Sequence, residues 1–195
     1  MPRIIIALRQ MHPGISVELV PTNEMSDLTR RDADIAIRHS RPEQPDLVAK
    51  RLADTDITLF ASEAYIDSLG PLSEPSDLAA ANFIGYQTPE RLMPQMQALG
   101  IPVTKENFGV TTTHGPTMYE LVREGAGIAL LPTAVSEGQF GLRRVLPALP
   151  PFSMPTWLVT HREIQTSRRI RITFDHLARE LGKDAWGHRV GQKKA

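Results

Sequence analysis

The chain has 195 residues, of which 41% are hydrophobic, so it can build a sizeable core in one large domain or two small ones. Lysine plus arginine and aspartate plus glutamate both number 22, and this zero net charge argues against a surface that binds nucleic acid by charge alone. The absence of cysteine excludes disulfides, thiolate metal sites and cysteine nucleophiles. Because no apolar run approaches the ~18–20 residues of a membrane helix and no persuasive signal peptide is present, we expect a cytoplasmic protein without membrane contacts.

Apolar periodicity predicts alternating helices and strands in the first part of the chain. Ile4, Leu8 and Met11 recur on one face of a helix that begins near Pro2. Alternation of apolar and polar residues in Ile15–Val20 predicts a strand. Further predicted elements are a short helix from Ser26, buried strands at Ile35–Ile37 and Ile57–Ala61, and a helix capped by Ser62 that ends at Gly70.

The second part of the chain continues this alternation. A helix opens near Gly115, and either Pro116 is its first residue or Thr117 is its cap with Glu120 three residues on. Gly125 is typical of the left-handed residue that ends a helix. We also predict strands at Phe83–Tyr86, Phe108–Thr113, Gly127–Leu131 and Trp157–Thr160, an edge strand at Arg143–Leu146, a helix at Arg91–Leu99, a loop or short helix at Ala134–Gly141, and a final amphipathic helix capped by Ser167.

Three of the predicted strands have polar residues at their C-terminal ends, where open α/β sheets form ligand crevices. The helix that opens near Gly115 adds backbone N–H groups and the positive end of its dipole, which suit a carboxylate or another anion. Arg38 fits an anion-binding residue and a salt-bridged surface residue equally well, and at least one threonine fits a helix cap. The predicted binding residues are Arg38, His39, Ser40, Thr112, Thr113, His114, Gly115 and His161.

No catalytic motif accompanies these residues. The sequence has no Gly-x-Ser-x-Gly elbow, no P-loop and no Gly-x-Gly-x-x-Gly, and a helix stop explains Gly125 and Gly127 better than a dinucleotide site. The histidines show no paired ligand spacing, and His12, His176 and His188 fit surface or hydrogen-bonded histidines. We therefore predict no catalytic residue, no metal and no cofactor, and we disfavour a small hydrolase or transferase.

The segment Asp34–His39, together with Leu121–Pro132, resembles the regulatory domain of LysR-type transcriptional regulators. Trp157–His161 followed by Ser167–Leu177 carries the same resemblance, which covers nearly the whole chain in the right order. It implies two Rossmann-like α/β subdomains joined by two crossover strands, as in periplasmic binding proteins of type 2, with a small effector in the cleft between them. Accordingly we expect one subdomain at residues 1–61 plus 161–195, a second at residues 62–160, and a hinge near Ala61, Ser62, Val159 and Thr160.

The resemblance also implies partners. Family members bind DNA through an N-terminal winged helix-turn-helix domain and assemble as dimers or tetramers. We expect that domain and the first strand of the regulatory domain to be absent here, so that DNA would be bound only through a domain not present in this chain. We expect a homodimer in which the first helix packs beside the helix before Gly125 of a second copy, through Ile4, Ile5, Leu8, Met11, Met118, Leu121 and Val122.

The leading hypothesis is therefore a ligand-sensing domain that controls transcription and is not an enzyme. Arg38 or the helix start at Gly115 would bind an acidic group of a small anionic effector, and His161 would be a hydrogen-bond partner from the crossing strand. The alternative is a solute-binding protein of a transport system, which shares the fold but requires export from the cytoplasm.

Overall fold

The chain passes twice between two α/β units in the computed structural model, which describes residues 1–21, 33–136 and 140–183. Unit 1 comprises Met1–Thr55 and Ser153–Ala195, and unit 2 comprises Asp56–Phe152. Both boundaries lie earlier in the chain than the sequence suggested. The four residues expected at the hinge lie inside the units instead: Ala61 and Ser62 belong to unit 2, and Val159 and Thr160 belong to unit 1.

The described residues form short strands and helices in the predicted alternation. The strands are β1 (Ile35–Arg38), β2 (Leu47–Arg51), β3 (Thr55–Ser62), β4 (Ile84–Tyr86), β5 (Val110–Thr112), β6 (Ala129–Pro132), β7 (Leu142–Arg144), β8 (Phe152–Met154) and β9 (Trp157–His161). The helices are α1 (Pro2–Met11), α2 (Glu63–Leu69), α3 (Met93–Ala98), α4 (Gly115–Arg123), α5 (Thr133–Ser136) and α6 (Arg168–Lys183). None of these helices is long and apolar enough to cross a membrane.

Unit 1 is built on a sheet in which β9 lies between β1 and β2 and runs antiparallel to both. Ile35 and Ile37 of β1 and Leu158 of β9 pack on the apolar side of α6, which includes Phe174 and Leu177. The predicted amphipathic character of α6 is thereby confirmed. Since successive side chains of a strand point to opposite faces, the neighbouring residues of β1 and β9 face away from this core.

A buried histidine connects α1 to α6. His176 is only 3% exposed, its Nε2 lies 3.0 Å from the carbonyl oxygen of Ile4, and its Nδ1 lies 3.0 Å from a guanidinium nitrogen of Arg179. A guanidinium can only donate hydrogen bonds, so Nδ1 accepts and Nε2 donates to Ile4. This geometry agrees with the prediction of a hydrogen-bonded histidine.

Unit 2 is centred on β3, which lies between β6 and β7 and is antiparallel to both; β8 also pairs with β3, and β4 pairs in parallel with β5. Consecutive residues of β3 point to opposite faces and enter two separate cores. Leu59 packs with Ile101 and its neighbours. Phe60 packs with Met118 and Val122 of α4.

Some predicted elements differ from those in the structure. Ile15–Val20 is not a strand: no described strand pairs with it, and Leu19 and Val20 are 52% and 60% exposed. Alternation alone cannot form a strand, because the backbone N–H and C=O groups need a partner. Leu47–Arg51, where no strand was predicted, forms β2. The helix predicted from Ser26 lies outside the described residues.

The glycines after α4 have different structural tasks. Gly125 has a φ of 80° and ends the helix as predicted. Gly127 has a φ of 153°, and a Cβ built on it would lie 2.6 Å from the carbonyl oxygen of Asn82, which accepts the Ile128 N–H. The turn before β6 therefore requires glycine for both conformation and space.

Gly127→Ala should lower the free energy of unfolding by about 1–3 kcal/mol, because alanine would strain the backbone and clash with Asn82. Denaturant unfolding followed by circular dichroism measures this loss. Gly109→Ala is the matched control in the same unit, since nothing lies within 4 Å of its added Cβ. Equal denaturant midpoints for Gly127→Ala and Gly109→Ala would contradict the conclusion that the turn before β6 requires glycine at position 127.

Candidate functional site

Three arginines lie near one tryptophan at the end of the unit 1 sheet where β1 and β2 end and β9 begins. Arg38 lies directly opposite Trp157 on β9, and Arg51 of β2 lies opposite Trp157 on its other side. Directly opposite residues of paired strands share a face of the sheet. The Cζ atoms of Arg41 and Arg51 lie 5.8 and 5.9 Å from the centre of the Trp157 ring, within the range of cation–π interaction.

A chain of polar side chains lies beside this group. The Oγ1 atoms of Thr55 and Thr156 are 2.9 Å apart, and both residues are buried. Thr156 Oγ1 is 3.4 Å from Nδ1 of His39, and the ring of His39 also bonds to the backbone carbonyl of Pro155. Desolvation lowers the pKa of His39 below its ordinary value, and the bond to Pro155 partly opposes this shift. Ser40 follows His39 and is exposed.

His161 does not join this group. Because β9 runs antiparallel to β1, Thr160 lies opposite Ile35, whereas Arg38 lies opposite Trp157. Three residues of strand separate the two ends by about 10 Å. His161 Nδ1 instead accepts the Glu163 N–H at 3.3 Å, the geometry of a turn residue. The prediction that the ends of β1 and β9 form one site is therefore corrected.

The second predicted group lies in unit 2, where β5 leads into α4. The helix begins at Gly115 with His114 as its N-cap residue and Pro116 in its first turn, so Thr117 is not the cap. Thr112 Oγ1 accepts the His114 N–H at 3.1 Å, and His114 Nδ1 lies 2.9 Å from Thr117 Oγ1. Thr112 thus has a local structural role, as expected for at least one threonine, while Thr113 is exposed.

The residues predicted at a dimer interface divide between core and surface. Leu8, Met118 and Val122 are at most 4% exposed within their own units, so a second copy cannot contact them in this structure. Met11 is 52% exposed, and Ile6, which the prediction omitted, is 57% exposed. The remaining predicted residues, Ile4, Ile5 and Leu121, are partly buried against the chain's own cores.

The side chains at the end of β1 are groups that can form hydrogen bonds with a ligand. Guanidinium and indole groups only donate hydrogen bonds, whereas His39 and Ser40 can also accept them. Among the residues that the structure describes, no group of three or more histidine, aspartate or glutamate side chains could hold a metal ion. The arrangement therefore suits an anionic molecule that also carries polar groups.

Sequence reasoning missed Trp157, Thr156, Thr55 and Arg51 at this site. Their contribution depends on β9 lying between β1 and β2, which no local pattern reveals. Arg41 lies in the polar segment after β1, but its contact with Trp157 depends on the same strand order.

Known proteins resemble this chain over most of its length. The family model described as LysR substrate binding domain matches residues 1–182. The HTH-type transcriptional regulator PtxR of Pseudomonas aeruginosa is 27% identical over 159 residues, which are 76% of this chain and 48% of PtxR. CrgA of Neisseria meningitidis serogroup C is 26% identical over 184 residues, or 91% of this chain and 61% of CrgA. The chain thus spans about half to three fifths of the length of these relatives.

Solved structures share the fold at lower identity. The regulatory domain of CrgA, a LysR-type transcriptional regulator from Neisseria meningitidis, has a TM-score of 0.81 at 22% identity, covering 93% of this chain and 91% of that one. The effector-binding domain of QuiR in complex with shikimate has a TM-score of 0.66 at 16% identity, covering 95% of this chain and 91% of that one.

The chain has the fold of a two-unit α/β domain. Its fold is that of LysR regulatory domains, the type 2 periplasmic-binding-protein-like fold predicted from the sequence. The chain belongs to the LysR substrate-binding domain family. The matched relatives are transcriptional regulators, which favours a regulator over a transport protein.

The environment of His39 predicts a dependence of stability on pH. The pKa of His39 is lower in the folded chain than the ordinary histidine value of 6.5, so the unfolded chain binds a proton at His39 more readily. The free energy of unfolding therefore falls as the pH drops through 6.5. The fall levels off below the folded-state pKa. It is modest, because the side chain is partly exposed.

His39→Gln should therefore reduce the slope of melting temperature between about pH 7.5 and about pH 5. Scanning calorimetry across this range measures the slope. The same substitution at His12 is the matched control, and an equal reduction of the slope in both variants would show that the effect is not specific to His39. An unchanged slope in His39→Gln would refute the assigned environment.

Proposed function

We propose that this chain senses a small anionic effector for a LysR-type transcriptional regulator, and that the effector binds at the polar end of β1. The observation that supports this most directly is the arrangement of Arg38 opposite Trp157, with His39 beside it. Arg38 would bind an acidic group, and His39 and Ser40 would bind further polar groups. The start of α4 at Gly115, with Thr112, Thr113 and His114, is a second candidate contact region.

The proposal assigns the chain a binding role without catalysis. The effector would bias the equilibrium between conformations only by its different affinity for each. DNA would be bound through a separate domain of the full-length regulator, and the protein would act in the cytoplasm. Family membership and the regulators among its relatives support this reading over solute transport.

Arg38→Ala should weaken effector binding without unfolding the chain. A thermal-shift screen of small organic acids and amino acids first identifies the effector, since a ligand selective for the folded state raises its melting temperature. Calorimetric titration of that effector should then give a dissociation constant about tenfold higher for Arg38→Ala, the loss expected for a charge-assisted hydrogen bond.

Arg171→Ala on the exposed side of α6 is the control and should bind as the wild type does. Equal affinity in Arg38→Ala and wild type would refute this site. An Arg38→Ala variant with an unchanged melting temperature in the absence of effector excludes misfolding as the cause of weaker binding.

We further propose a homodimer in which α1 packs beside α4 of a second copy. The corrected set of contacts rests on Ile6 and Met11, whose apolar side chains are more than half exposed on α1. Leu121 of α4 is partly exposed and would contribute from the partner helix. In the full-length regulator, two such dimers would form a tetramer.

Ile6→Glu should convert the dimer to a monomer, because a carboxylate would be buried in an apolar contact. Light scattering coupled to size-exclusion chromatography at micromolar concentration measures the mass. Gln10→Glu, which adds the same charge at another exposed position of α1, should remain dimeric. A monomeric wild-type chain under these conditions would contradict the proposal.

A further inference from the structure

We propose that Arg41, Arg51 and the indole N–H of Trp157 form an oxyanion site that binds a carboxylate or phosphate group. This inference rests on the proposed function, because the site lies at the same end of β1 and would bind the acidic part of the effector. It adds three residues that were not among the predicted binding residues, and it proposes that all three bind the same oxyanion.

Charge is the first observation that carries the inference. Two guanidinium groups, those of Arg41 and Arg51, lie about equally far from one indole ring, at 5.8 and 5.9 Å. Arg51 is paired with Asp54, at 2.8 and 3.1 Å. For Arg41, no carboxylate partner occurs among the residues that the structure describes. Together the guanidinium groups of Arg41 and Arg51 leave a local positive potential beside the ring, which favours an anion.

The unpaired indole is the second observation. Trp157 Nε1 is buried, and within the described parts of the chain it has no hydrogen-bond partner. A buried donor without an acceptor is unfavourable and rare in folded proteins. An indole N–H can only donate, and so can a guanidinium. The missing partner must therefore be an acceptor, and an oxyanion is the acceptor that suits the adjacent positive charge.

The geometry of the arginines is the third observation. A guanidinium packed on an aromatic ring loses part of its rotational freedom while its N–H groups stay available at the edge of the plane. Such an edge can donate two parallel hydrogen bonds to a carboxylate or a phosphate. Asp54 already uses one nitrogen of Arg51, so it competes with the ligand for that residue.

The site contains its own fluorescent reporter. The chain has two tryptophans, Trp157 and Trp186, so Trp186→Phe leaves Trp157 as the only one. In this background, we would titrate sodium phosphate and sodium succinate separately at constant ionic strength, with sodium chloride as the reference salt. A saturable change in Trp157 emission is expected with an oxyanion and not with chloride. Saturation by only one probe identifies whether phosphate or carboxylate is the preferred group.

Three variants test the assignment in opposite directions. Arg41→Gln and Arg51→Gln should each raise the half-saturating concentration about tenfold. Asp54→Asn should lower it, because Arg51 loses its competing carboxylate. Arg171→Gln, on the exposed side of α6, controls for general loss of positive charge and should leave the titration unchanged. Melting temperatures without anion confirm that each variant is folded.

The inference is overturned if emission never saturates, if chloride acts as well as the oxyanions, or if Arg171→Gln weakens binding as much as Arg41→Gln does. Its failure is distinguishable from that of the proposed function. If the effector found in the thermal-shift screen loses affinity for Arg38→Ala but binds Arg41→Gln and Arg51→Gln as tightly as wild type, the effector site stands and the oxyanion site does not.

Discussion

The antiparallel pairing of β9 with both β1 and β2 is the interaction on which unit 1 depends. These two strands come from the first part of the chain, and β9 comes from a segment that follows the whole of unit 2. Backbone groups removed from water must be paired, and among the described strands β9 supplies that pairing for both neighbours. The sheet of unit 1 therefore forms only when residues far apart in sequence come into contact. The entropic cost of such a contact rises with the length of the loop that it closes.

The same strand sets which residues form the core and which form the candidate site. Leu158 packs against α6 with Ile37 opposite it, while Trp157 and Arg38 occupy the next pair and point to the other face. A shift of the register by one residue would exchange the two faces. The apolar core of unit 1 thus constrains the positions of the polar residues at the end of β1, since a shift by one residue would remove Leu158 from the core.

Local elements could be predicted from the sequence because their signals are local. Ser62 caps α2 through the Tyr65 N–H, and Gly125 ends α4 because these effects act within a few residues. The order and direction of strands could not be predicted, because they depend on distant partners. For this reason His161 was placed at the wrong end of the sheet, and Ile15–Val20 was assigned to a strand without a partner. Arg38 was among the predicted binding residues because it follows the predicted strand Ile35–Ile37, whereas Trp157 joins the candidate site only through the register of β9.

Placing the site on β9 also couples binding to the stability of unit 1. Thr156 accepts the Leu52 N–H through its backbone carbonyl and reaches Thr55 and His39 through its side chain, immediately before Trp157 enters the sheet. If β9 separates from its neighbours, Arg38, Arg51 and Trp157 lose their common position, so the unfolded chain holds no comparable site. A ligand bound there must stabilise the strand pairing by mass action. Under the proposed function, effector binding and closure of unit 1 would both depend on one sheet register.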